Sequence, residues 1–104
     1  MYPTPITYFA RVEFHNASSE NYRDLHSKMA AIRFVKKYKA ESGVIVELPT
    51  AEYINTHSTQ TNIKMVQAEI TRIAKSIEPD CEILVIHVMR MMMTTGRVDH
   101  TQGR

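Results

Sequence analysis

Over residues 7–15 apolar and polar positions alternate, with Tyr8, Ala10, Val12 and Phe14 on one face and Phe9, Arg11, Glu13 and His15 on the other. A period of two describes a half-buried strand, so the Tyr8 face is predicted to be core. Residues 16–19 are polar and of N-capping types, and Tyr22, Leu25, Met29 and Ile32 then recur three or four apart. This spacing predicts an amphipathic helix over about 19–32. Phe34 and Tyr38 could extend that helix or begin a strand. The loop Ala40-Glu41-Ser42-Gly43 before the β-branched run Val44-Ile45-Val46 favours a hairpin with a strand on each side. Leu48-Pro49-Thr50 interrupts the second strand of that hairpin, because proline cannot donate to a ladder, and residues 53–57 read as extended again.

Ile63, Val66, Ile70, Ile73 and Ile77 form the clearest helical stripe, with Ser58, Thr59 and Thr61 as candidate N-caps, His57 in the cap region and Pro79 as the stop. Residues 81–91 follow as a strand in which both alternating sets, Ile83/Val85/Met89 and Leu84/Ile86/Val88, are apolar. That pattern predicts a central strand covered on both faces. The order β-α-β-β-α-β is the ferredoxin-like α+β arrangement, a four-stranded antiparallel sheet with two helices on one face. Helices on one face leave the other apolar surface in need of cover, which predicts a homodimer or a folded-back tail. Met89, Met91, Met92 and Met93 suit an adaptable interface. A single domain over residues 1–93 is expected, with residues 94–104 a disordered tail, since they have no periodicity and few apolar groups.

Charge narrows the function. The chain of 104 residues carries a formal net charge of +2, yet residues 1–89 hold ten Lys+Arg against ten Asp+Glu. A neutral body excludes binding through bulk positive charge, so any contact with nucleic acid must be local. One cysteine, Cys81, provides neither a disulfide framework nor a Cys pair for structural zinc. No apolar run reaches membrane-spanning length and the start has no export pattern, so a cytoplasmic protein without membrane contact is expected.

Two constellations carry candidate chemistry. Arg33, Lys36, Lys37 and Lys39 put four cations into seven residues, interleaved with Phe34 and Tyr38. Such a segment can neutralise phosphates and stack unpaired bases, which points to single-stranded RNA. The same lysines would also protect an edge strand from pairing with another chain. Arg11, Glu13 and His15 share the outer face of the first strand. Cleavage of RNA needs a base for the 2′-hydroxyl, an acid for the leaving oxygen and a cation for the phosphorane, and histidine and arginine are suitable types. Cross-strand ion pairing accounts for the same three residues. His26 reads as a solvated helix residue and His87 as a core or interface histidine. The five histidines show no HxH or HxxxH spacing, so neither a metal nor another cofactor is expected.

The stretch Tyr8-Phe9-Ala10-Arg11-Val12-Glu13-Phe14-His15-Asn16-Ala17-Ser18, with Tyr22, Leu25-His26, Met29, Phe34, Gly43 and Leu48-Pro49-Thr50-Ala51-Glu52-Tyr53, resembles the small bacterial family of GhoS-like antitoxins of type V toxin–antitoxin systems. The resemblance covers roughly residues 8–53. It implies a ferredoxin-like fold similar to the small CRISPR-associated ribonucleases. It also implies an endoribonuclease that acts as an antitoxin by cleaving the messenger RNA of a membrane toxin. In those CRISPR-associated relatives a carboxylate at the end of the first strand binds metal; here that position falls on His15, with Glu13 two residues back. A non-catalytic binding module of the same fold is the alternative.

Overall fold

The computed structural model describes residues 5–89. Its elements run β1 (Ile6–Phe14), α1 (Ser19–Ala31), β2 (Lys37–Lys39), β3 (Ile45–Glu47), β4 (Glu52–Ser58), α2 (Ile63–Ile77) and β5 (Cys81–Val88). The result is a small α+β structure with two helices and antiparallel strands. The alternation in β1 holds: Tyr8, Ala10, Val12 and Phe14 are buried and join Leu25 and Met29 of α1 and Val66, Ile70 and Ala74 of α2 in one core. Both helices therefore pack against the same face of β1.

The helices begin where polar side chains replace missing backbone partners. Ser18 caps α1 in a reciprocal box: its Oγ accepts from the Asn21 backbone N–H at 3.2 Å, and its own N–H donates to Asn21 Oδ1 at 3.0 Å. Asn62, rather than Ser58, Thr59 or Thr61, caps α2, accepting from the Lys64 N–H at 2.9 Å. His57 is accordingly not a cap residue but lies in β4.

The strands do not form the expected four-stranded sheet. They form a three-stranded sheet in the order β4-β1-β5 and a separate two-stranded ladder of β2 and β3. The cause is Leu48-Pro49: the chain turns there, with the Glu52 N–H donating to the Pro49 carbonyl at 2.9 Å, and one expected strand becomes β3 and β4. A single antiparallel bridge between Val35 and Ile54 joins the two sheets. Val46 and Leu48 of the hairpin side pack on Ile54 in a second small core, with Phe9 and Tyr38 partly buried beside them. The hairpin closes through Gly43, whose φ of +92° is open to glycine without strain and whose N–H donates to the Ala40 carbonyl at 2.9 Å.

The last strand is also not central. β5 pairs with β1 alone and forms an edge of its sheet. Ile83 and Val85 pack against the main core, whereas Leu84 and Ile86 remain 48% and 43% exposed on the opposite face. Its two apolar sets thus have different surroundings. Met89 is exposed, while Met91, Met92, Met93 and the expected tail lie outside the described residues. Among the described residues no helix is long and apolar enough to cross a membrane.

Candidate nucleic-acid interface

Helix α1 ends in a Schellman motif. The Arg33 N–H donates to the Ala30 carbonyl and the Phe34 N–H to the Met29 carbonyl, both at 2.9 Å, and buried Phe34 lies in the core with Met29. The residue after the cap in this motif takes a left-handed backbone, usually as glycine. Here it is Arg33 with φ +72°, the only non-glycine residue with positive φ among those described. The strain is of the order of 1 kcal/mol. Arg33→Gly is expected to raise stability by about 1 kcal/mol, read as a higher denaturation midpoint at unchanged slope.

Beyond the motif the chain is extended, and its odd-numbered residues share one side. Arg33, Val35, Lys37 and Lys39, with Tyr38, line an open cleft of about 470 Å³ whose other wall is Asn55, Thr56 and His57 of β4. Three consecutive residues of a strand line one cleft because β4 is bulged. Ile6 pairs with Ser58 and Tyr8 with Asn55, so Thr56 and His57 together stand opposite Thr7. The bulge is pinned locally. Buried Asn55 accepts the His57 backbone N–H on Oδ1 at 2.9 Å, and His57 Nδ1 lies 2.9 Å from Thr56 Oγ1. The cleft thus combines three cations, an imidazole and the partly buried Tyr38 without an acidic lining residue. Glu47 stands across the hairpin from Lys37.

Lys36 has a different setting. Its ammonium donates to the backbone carbonyls of Pro49 and, at 3.0 Å, Glu52, and it lies 4.9 Å from the centre of the Tyr53 ring. The fully buried Tyr53 hydroxyl in turn bonds His26 Nδ1 at 2.5 Å. Burial, then the neighbouring Lys36 charge, holds the His26 imidazole below its ordinary value. Burial also lowers Lys36, against the opposing pull of Glu47 and Glu52. Burial, with a contribution from Tyr22, pushes the Tyr53 phenol well up. The stretch Leu48-Pro49-Thr50-Ala51-Glu52-Tyr53 is therefore a bent segment clasped by Lys36 and locked by His26. Phe34, one of the two aromatic residues interleaved with the cations, is 3% exposed and belongs to the core.

Arg11, Glu13 and His15 are exposed, as expected for the outer face of β1. Arg11 lies 3.9 Å from Glu13, and His15 Nε2 lies 3.3 Å from Glu82 of β5. The structure does not bring this trio to the cationic cleft. His57 stands at the Ile6 end of β1 and His15 follows its Phe14 end, which separates them by roughly 25–30 Å at the rise of an extended strand. His87, exposed in β5, sets its ring 5.5 Å from that of Tyr8. His57, Thr56 and Asn55 are the cleft residues that sequence reading missed. No family model matches the chain, and a search of curated proteins likewise finds no match.

Proposed function

We propose that the protein binds single-stranded RNA in the cleft between the Arg33–Lys39 segment and the end of β4. The observation that carries this reading is the convergence of Arg33, Lys37 and Lys39 on one cleft in a body whose charges balance only with these three cations counted. Cations on one wall suit a phosphate backbone, and hydrogen-bonding Asn55 and Thr56 on the other suit the edges or sugar of an unpaired nucleotide. The neutral body provides no wider attraction of the kind that holds a duplex.

In this reading the strands form one ferredoxin-like sheet whose third strand is broken into β3 and β4. The Val35–Ile54 bridge supports it, because it places Val35, just ahead of β2, along the free edge of β4, and the Leu48 N–H bond to the Lys36 carbonyl at 2.8 Å extends the β2–β3 ladder up to that bridge. The resemblance to GhoS-like antitoxins gives the fuller proposal, an endoribonuclease that silences a toxin by cutting its messenger RNA.

Anisotropy titration of a labelled A/U-rich single-stranded RNA tests the binding. Three phosphate contacts give a slope of log K against log salt of about −2, and Arg33→Gly brings it to about −1.4 while weakening binding about fivefold at 0.1 M salt. Because that variant is also expected to be more stable, unfolding cannot account for the loss. Binding that ignores salt, or is unchanged in Arg33→Gly, contradicts the proposal.

A further inference from the structure

We propose that His57 is the general base of an RNA strand cleavage carried out in this cleft; the inference rests on the RNA-binding reading above. Of the four described histidines, His57 alone lines the cationic cleft. The others have different engagements. His15 faces Glu82 at the far end of β1, His26 bonds Tyr53, and His87 leans on Tyr8. Histidine is the side-chain type best suited to exchange protons near neutral pH.

The backbone around His57 is built to present it. A bulge in β4 breaks the strand alternation so that Thr56 and His57 both reach the cleft, and bulges serve to re-aim side chains in this way. Asn55 Oδ1 fixes the His57 backbone and Thr56 Oγ1 lies against Nδ1. With Nδ1–H donating to the Thr56 hydroxyl, Nε2 carries the lone pair. An imidazole held through one nitrogen is oriented for proton transfer through the other.

The reaction balances with groups of the cleft and water. Nε2 takes the proton of a ribose 2′-hydroxyl, the 2′-oxygen forms a bond to the adjacent phosphorus, and the bond from phosphorus to the 5′-oxygen breaks. The leaving 5′-oxygen takes a proton from water, and the imidazolium neutralises the hydroxide left behind. The products are a 2′,3′-cyclic phosphate and a 5′-hydroxyl. Arg33, Lys37 and Lys39 face the charge that builds on the phosphorane oxygens.

The test uses the full chain, the same labelled A/U-rich RNA, EDTA throughout, and wild type beside His57→Gln and His15→Gln. Wild type is expected to yield cyclic-phosphate ends at a rate that rises with pH to a plateau. His57→Gln is expected to bind the RNA, cut it at least about 100-fold more slowly and lose that pH-dependent rise. Cleavage lost in His15→Gln and normal in His57→Gln overturns the assignment. So does RNA that wild type binds and never cuts, which leaves the binding reading standing. RNA that wild type does not bind overturns both.

Discussion

Replacing Lys37 by Gln and Lys39 by Glu in one chain is expected to weaken binding of A/U-rich single-stranded RNA about 100-fold at 0.1 M salt, with little change in unfolding midpoint. The size follows from counterion release. A slope near −0.7 per neutralised phosphate makes each contact worth about fivefold between 1 M and 0.1 M salt. Neutralising Lys37 removes one such factor. Reversing Lys39 removes a second and adds a repulsion of similar size, and the three together give roughly 100-fold. Both side chains are exposed on β2, so the fold loses little. Gln is chosen at 37 because Glu47 stands opposite in the hairpin, where a second carboxylate would strain the β2–β3 pairing and confuse binding with unfolding. Titration of the double variant, with thermal unfolding in parallel, checks this. Binding within a few fold of wild type at an unchanged midpoint would move the RNA elsewhere on the molecule.

The choice of lysines depends on something the sequence held only in part. Four cations in seven residues are visible as a cluster, but strand alternation divides them. Phe34 is a core residue, and Lys36, two positions on, falls on its side and reaches under the chain to Pro49 and Glu52. The period of two that located the core face of β1 was thus also able to separate Lys36 from Lys37 and Lys39. The stripe of α2 was legible for the same reason: Val66 and Ile70 are buried at the predicted spacing, and the helix ends before Pro79. Periodicity failed where the answer lies between strands. Two apolar sets in β5 look like burial on both faces, yet an edge strand has only one packed face here, and nothing in residues 81–88 states which neighbour is missing. The break at Leu48-Pro49 was visible as a proline, but its division of the sheet depends on the pairings made on either side. His57 was hidden in a related way, because a bulge is an excess of one residue relative to a partner strand.

The clasp at Lys36 gives the second large effect. Lys36→Met is expected to destabilise the fold by about 2 kcal/mol. Methionine retains the length and packing of the chain but removes two charge-assisted bonds to backbone carbonyls and the cation over Tyr53. Such bonds contribute about 1.5–3 kcal/mol each, and the cation–π contact adds to them. Desolvation offsets part of the sum, as the lowered ionisation of Lys36 records. The same clasp sets a pH window. His26 is held below its ordinary value of 6.5, so as pH falls below that point the unfolded chain takes up a proton that the folded one resists, and stability declines. Tyr53 is held above its ordinary value of 10.0, so its contribution is complete below pH 10 and is lost as pH rises, when the unfolded phenol ionises first. Denaturant titrations across pH should therefore show wild type losing stability on both sides, and Tyr53→Phe losing the Tyr53 share of the alkaline decline while Tyr38 and Cys81, which burial also raises, keep theirs. Removing Lys36 relieves the nearby charge on His26 and should move the acid decline to lower depth, since part of the depression of His26 comes from that ammonium. Unchanged stability in Lys36→Met would mean that the bent segment between β3 and β4 holds its shape without the lysine. The hairpin carrying Lys37 and Lys39 would then owe its position to the Val35–Ile54 bridge and to the packing of Val46 and Leu48 on Ile54.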